Sequence, residues 1–356
     1  MERLIEPIRR VIPMSYEDVL EDFGRLIEIE VEGFLRPVVD QGHAYHPFIG
    51  YTYELIKGFV LRRGKRLAST STLMAYKGYM GEIDRRILRA ACGIELYRHS
   101  ILVHDDFVDQ DMTRRGGKTL HKALEEGYDE RFGVGSAIFL GDILYSLSLQ
   151  AILSSGFQAD KLNRALNLIV SGFRDVNESQ MLDLLFEYRF PDREEWTVMA
   201  SKRAASLFKA TILVGAMLAD ASKTELELLD EAAEHIGYAF DIQDDIIDSF
   251  ASEEQYGREP CGDLIKGKKP LHVIIGLERN ESMKKLLMEV RKDQSKTTEL
   301  KRIMRDSGAL EEAKDVSRKH AEKAKEGIRR SKMNVEAKDF FSSFIDYITE
   351  SLEWYR

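Results

Sequence analysis

No proline lies between Pro47 and Pro191, and the whole sequence has seven, the others being Pro7, Pro13, Pro37, Pro260 and Pro270. A strand-rich chain of 356 residues needs frequent Pro and Gly punctuation at its turns, so this stretch predicts long helices. Apolar spacing points the same way. Leu140, Leu144, Leu147 and Ala151 recur at steps of four, three and four, the pattern of a helix packed on one side. Between Ala232 and Ser249, the residues Ala232, Ile236, Ala239, Phe240 and Ile247 share one side and a stripe of carboxylates occupies the other. Strict alternation of apolar and polar residues is absent from both segments.

Nothing resembles a linker or a change of composition, so residues 1–356 are expected to form one all-helical unit. A formal charge of −9 argues against nucleic acid as a partner, because neutralising phosphates requires a basic field. Cys92 and Cys261 lack metal-binding or redox spacing and suit a reducing cytosol. The charged N-terminal stretch does not read as a signal peptide. The apolar run around Ala210–Ala219 is shorter than the ~20 residues a membrane span takes, so a cytoplasmic protein with no transmembrane segment is expected. From Arg279 onward, Lys, Arg and Glu at helical spacing read as solvated helix faces.

Two acidic motifs carry the chemistry. In HDDFVDQD, Asp105 and Asp109 are four apart and project from one helix face, with Asp106 beside them. The apolar run Ile101, Leu102, Val103 precedes them, which is unlike a solvated charge run. A second DDxxD, formed by Asp244, Asp245 and Asp248, follows Asp241, giving an acidic stripe at i, i+3, i+4 and i+7. Like charges at these spacings each cost a few tenths of a kcal/mol in an isolated helix, so something cationic must offset them. Mg²⁺ takes hard oxygen ligands, commonly one or two carboxylates with substrate phosphate oxygens completing the shell. One copy alone is weak evidence. Two copies fit a clamp of several divalent ions on one diphosphate. Basic clusters alternate with the acidic ones: Arg62, Arg63, Gly64, Lys65 and Arg66; then Arg114, Arg115 and Gly116; then Lys266, Gly267, Lys268 and Lys269. In a chain of net negative charge, these describe sites for small anions such as diphosphates.

Several motifs in order now identify the resemblance. LVHDDFVDQDMTRRGGKTLH (Leu102 to His121), LGDIL (Leu140 to Leu144), SQMLDL (Ser179 to Leu184), GYAFDIQDDIID (Gly237 to Asp248) and DLIKGKKPL (Asp263 to Leu271) resemble the trans-isoprenyl diphosphate synthase, or polyprenyl synthetase, family. The resemblance runs from about Tyr53 to Leu271. It implies one large antiparallel helical bundle around a central active-site cavity, and a homodimer. It implies a head-to-tail prenyl transferase that joins isopentenyl diphosphate to an allylic prenyl diphosphate. Asp105, Asp106, Asp109, Asp244, Asp245 and Asp248 would hold about three Mg²⁺, with Mn²⁺ as an alternative ion. Arg114, Lys202 and Lys268 would neutralise the allylic diphosphate, while Lys65 and Arg115 would hold isopentenyl diphosphate. Gln180 and Asp183 would line the cavity, and Asp241 and Arg258 would also contact substrate. Upstream of the first motif, Ser100, Ile101 and Tyr97 would set chain length, with Tyr97 the first bulky floor and products of about C20–C25.

The pattern also breaks in places. Where the family reads Gly-Lys-x-x-Arg, this chain has Ala68 in place of the second arginine, and Arg66 is the expected substitute. Seven residues before Asp105 the family carries His or Gln and this chain carries Arg98, so one guanidinium is lost and one gained. Asp241 replaces a Gln and Arg203 a Thr, which suggests that the two pair. A longer-chain synthase is an alternative reading. A terpene cyclase would not need Arg114, Arg115 and Lys65 together. A catalytically altered partner subunit would have little reason to keep all six motif aspartates.

Overall fold

The computed structural model describes residues 15–62, 64–252, 254 and 260–350. Its chain divides into two compact units, one from Met1–Leu162 with Asn334–Phe340 and the other from Asn163–Met333 with Phe341–Arg356. Among the described residues the structure is helical apart from one two-residue antiparallel ladder. The all-helical expectation holds with that one exception.

The first unit contains α1 (Tyr16–Tyr45), α2 (Pro47–Val60), α3 (Leu67–Met80), α4 (Arg85–Val108), α5 (Leu120–Glu125) and α6 (Glu130–Leu153). Short polar side chains start the long helices: Ser15 caps α1 in a capping box with Asp18, Asp84 caps α4, and Asp129 caps α6. Leu140, Leu144, Leu147 and Ala151 are all buried, as their spacing requires. α6 meets α4 closely at Gly93, where an added Cβ would lie 2.6 Å from Ile152 Cγ1 and 2.7 Å from the Ser148 carbonyl. α6 is also the helix among the described residues that is long and apolar enough to cross a membrane by length and composition, and 44% of its apolar window is buried. The expectation drawn from Ala210–Ala219 therefore overlooked the longer apolar helix.

The second unit takes most of α7 (Ala159–Tyr188) and all of α8 (Arg193–Ala200), α9 (Ala204–Leu218) and α10 (Lys223–Phe250). Shorter helices follow at Gly262–Lys266, Leu271–Arg279, Ser282–Val290 and Thr297–Asp306, and then a long one at Ala309–Arg330. α10 packs along this last helix: Ser317 donates to the Ala239 carbonyl (3.0 Å), and Gly327 abuts Ala232. Ile242, Ile246 and Phe250 of α10 join Leu264, Ile274 and Met304 in one core cluster. Glu311, Lys319, Glu322, Lys323 and Glu326 lie on a solvated face, as their spacing suggested, while Ala313, Ser317, Ala321, Ala324 and Ile328 form the buried side of the same helix.

Candidate active site

In the first unit the acidic motif falls at the end of α4. The helix stops at Val108 and Asp109 is its C-cap, so Asp105 and Asp106 lie in the last turn and Asp109 just beyond. This is the negative end of the helix dipole, where carboxylates are disfavoured and a cation is favoured. Arg114 supplies part of that charge: it ion-pairs with Asp106 and also reaches Asp105 (3.4 Å) and Asp111 (3.3 Å). Asp106 is 1% exposed, and its Oδ2 has no hydrogen-bond partner. Burial pushes its carboxyl up to about 7 against the pull of Arg114.

The arginines that follow form the ladder. Thr113 pairs with Lys118 and Arg114 with Gly117, leaving Arg115 and Gly116 as a two-residue turn with φ of 51° and 74°. Positive φ at both central positions matches a type I′ hairpin turn, which Gly116 takes freely and Arg115 only at a cost in strain. The turn delivers the Arg115 guanidinium against Gly64, where a Cβ would lie 2.7 Å from Arg115 Cζ, and beside His99 (3.4 Å). Burial first, and the charges of Arg98, Arg66 and Arg114 with it, push Arg115 down to about 10 despite the attraction of Glu95. Crowded cations of this kind are relieved by an anion. Lys65 is exposed beside Gly64.

Arg66 does not fill the gap left at Ala68. Its side chain is 1% exposed, and all five of its donors are engaged, with Glu28, Glu95 and the carbonyls of Val60 and Arg62. No donor remains for a diphosphate. Glu95, which the sequence reading missed, is the centre of this network and also accepts from Ser69 (2.6 Å). Burial opposes its charge, but the His99 imidazolium present at low pH, then Arg66 and Ser69, hold its carboxyl below the usual range. His99 is itself buried and pushed down to about 4, so it is neutral at pH 7. The detectable signal was a single carboxylate inside the apolar run AACGIELY. Arg66→Ala is therefore expected to cost about 3–5 kcal/mol of stability, as unpairing a buried charge does. Denaturant unfolding measures this, and a stable variant with a selectively raised KM for isopentenyl diphosphate would contradict it.

In the second unit, α10 is buried on more sides than its pattern suggested. Asp241, Asp245 and Asp248 are buried together with Ile236, Ala239 and Ile247, while Asp244 is exposed. Arg203 is what makes the burial tolerable. Its Nε lies 2.6 and 2.8 Å from the two oxygens of Asp241, its Nη2 2.8 Å from Asp245 and its Nη1 3.6 Å from Asp183. The Arg203–Asp241 pairing inferred from sequence is present. Lys268 lies 3.3 Å from Asp183 and 3.7 Å from Asp263. Asp248 accepts from the Asp263 backbone N–H (3.2 Å), so part of its role is to fix the turn into Gly262–Lys266. Lys202 is engaged with Asp175 and Glu178 of α7, and Lys269 donates to the carbonyls of Glu187 and Gly267. Gln180 is half-buried on α7. Arg63 and Arg258 lie outside the described residues.

An all-helical chain with two aspartate-rich helix segments, each flanked by arginine or lysine, defines a diphosphate-handling enzyme. The polyprenyl synthetase family profile matches residues 50–307. The short chain isoprenyl diphosphate synthase of Methanocaldococcus jannaschii is 33% identical over 239 residues, 67% of this chain and 70% of the relative. The crystal structure of geranylgeranyl pyrophosphate synthetase from Pyrococcus horikoshii superposes with a TM-score of 0.78 at 26% identity, covering 95% of this chain and 99% of that one. A Corynebacterium glutamicum geranylgeranyl pyrophosphate synthase, solved with isoprenyl diphosphate and magnesium, shares the fold at a TM-score of 0.86 and 21% identity, covering 95% of this chain and 100% of that one. The chain belongs to the polyprenyl synthetase family and is a prenyl transferase.

The residues present fit the divalent metal with which this family binds diphosphate. Among the described residues no three acidic, His or Cys side chains converge to enclose an ion unaided. Mg²⁺ asks for less, one or two carboxylates plus substrate oxygens. The partnerless Oδ2 of Asp106 and the carboxylates gathered at the C-terminal end of α4 are hard oxygen donors of the kind that ion takes.

Proposed function

We propose that this protein is a Mg²⁺-dependent synthase condensing isopentenyl diphosphate with an allylic diphosphate to a product of about C20–C25. Arg114 on Asp105 and Asp106 at the end of the aspartate-bearing helix, with Arg115 close enough to Arg114 and Arg98 to feel both charges, carries this reading. Asp105, Asp109 and Asp244, supported by Asp106, Asp245 and Asp248, would hold about three Mg²⁺, with Mn²⁺ a substitute. Bound there, the metal neutralises the charge that grows on the departing diphosphate. Arg114 holds Asp105 and Asp106 in register and adds its own charge to that task, with Lys268 and Lys202 assigned the same role. Loss of diphosphate leaves an allylic cation, which the double bond of isopentenyl diphosphate attacks before a proton is lost. Lys65, Arg98 and Arg115 orient isopentenyl diphosphate, Arg98 standing in for the arginine absent at Ala68. Gln180, Asp183 and Asp241 are assigned to the polar lining of the allylic site. Arg258 is assigned to substrate contact.

Purified protein with isopentenyl diphosphate, labelled allylic diphosphates and Mg²⁺ tests the whole reading: elongated prenyl products that disappear with EDTA support it, and their absence with every primer rejects it. Arg98→Ala is expected to raise the KM for isopentenyl diphosphate at least about tenfold, the loss of one charge-assisted contact, with little effect on the allylic KM. Equal effects on both substrates would reject the assignment. Ile138, Phe139 and Leu153 of α6 are exposed large apolar residues, a face we assign to a homodimer of a cytoplasmic enzyme.

A further inference from the structure

Arg203 and Asp241 each add a charge to the second acidic motif, and their charges cancel. What they change is geometry. Asp241 and Asp245 are i and i+4 on α10, both buried, and one guanidinium spans them while a third carboxylate, Asp183, stands 3.6 Å from its other nitrogen. Joining carboxylates on successive helix turns is also what a bound divalent ion does. Arg203 is held in place from behind. It immediately precedes α9, and the start of α9 lies against Gly237 of α10, where a Cβ would be 2.4 Å from Ala205 Cα and 2.5 Å from its nitrogen. The backbone bearing the guanidinium cannot withdraw without pulling that contact apart.

We propose that Arg203 is a built-in counter-cation of the second motif, a positioning residue that clips Asp241, Asp245 and Asp183 together and competes with the divalent ion for Asp245. The second motif then stays folded around its buried carboxylates before any metal arrives, and takes up its ion weakly until the diphosphate adds oxygen ligands. This deepens the prenyl transferase reading and rests on it for the identity of the ion.

Mn²⁺ titration of substrate-free protein, followed by electron paramagnetic resonance, tests the competition. Asp105→Asn/Asp109→Asn is the parent, so that the first motif contributes little. Adding Arg203→Gln should tighten Mn²⁺ binding at least about tenfold, because a fixed positive charge within hydrogen-bonding distance of the ligands is removed. Adding Asp241→Asn instead should weaken it, leaving the guanidinium wholly on Asp245 and Asp183. Both changes together should still bind more tightly than the parent. Should Arg203→Gln fail to fold, Arg203→Lys keeps the charge but cannot span two carboxylates, and should give intermediate affinity. Unchanged or weaker Mn²⁺ binding in the folded Arg203 variants would overturn the proposal. Prenyl transfer by the wild type is measured separately. An active enzyme without the Mn²⁺ ordering rejects this inference alone, and the ordering in an inactive protein rejects only the synthase reading.

Discussion

Asp105→Ala and Asp244→Ala are each expected to lower turnover about 10²–10³-fold or more, the scale of losing one electrostatic stabiliser of a developing charge. Thermal stability should hold within about 2 °C. That expectation follows from their places on the helices. Asp105 is half-buried at the unfavourable end of α4 with a long contact to Arg114, and Asp244 is the exposed member of its motif. Asp248→Ala provides the contrast, since its carboxylate accepts the Asp263 N–H and its loss should cost stability as well as rate. Steady-state kinetics and calorimetry on the three variants separate the cases. Near-normal turnover in Asp105→Ala or Asp244→Ala would end the assignment of these motifs to diphosphate activation.

The helices and the two motifs could be read from the sequence because their signal is local. Leu140, Leu144, Leu147 and Ala151 fall on one side of a helix whatever surrounds them, and all four are buried. Arg66 shows where local reading ends. A basic residue beside Gly64 and Lys65 looks like an anion ligand, yet its donors are taken by Glu28 and Glu95, which lie 38 and 29 positions away. Nothing near Arg66 announces either partner. The stripe on α10 was legible, as was its need for a positive charge, but the extent of its burial was not, because that depends on Arg203, 38 positions from Asp241. That pairing was visible only because two departures from the family pattern carried opposite charges. Asp109 illustrates the smaller error of boundaries, since the helix ends one residue before it.

Tyr97→Ala is expected to lengthen the product, and Ser100→Phe to shorten it. Tyr97 lies two turns before Asp105 on α4, about 12 Å along the helix axis, and each turn of about 5.4 Å is close to one isoprene unit. Ser100 is fully buried, its hydroxyl donating to the Tyr97 carbonyl (2.8 Å), and Ile101 is half-buried, so neither offers an aromatic barrier near the diphosphate end. Tyr97 does: its ring is fully buried, 6.4 Å from the ring of Tyr145 on α6. Below it on the same helix Ile94 is a smaller side chain, which by itself would leave the path open. Instead α4 and α6 touch at Gly93, one turn deeper, where backbone and Ile152 leave no room even for a methyl group. Removing the Tyr97 ring should therefore add only about one to two isoprene units before the chain meets that closed seam. Chromatography of dephosphorylated products from the wild type and both variants decides it. A distribution unchanged in both would remove Tyr97 as the floor, and extension in Tyr97→Ala far beyond two units would show that the seam at Gly93 opens.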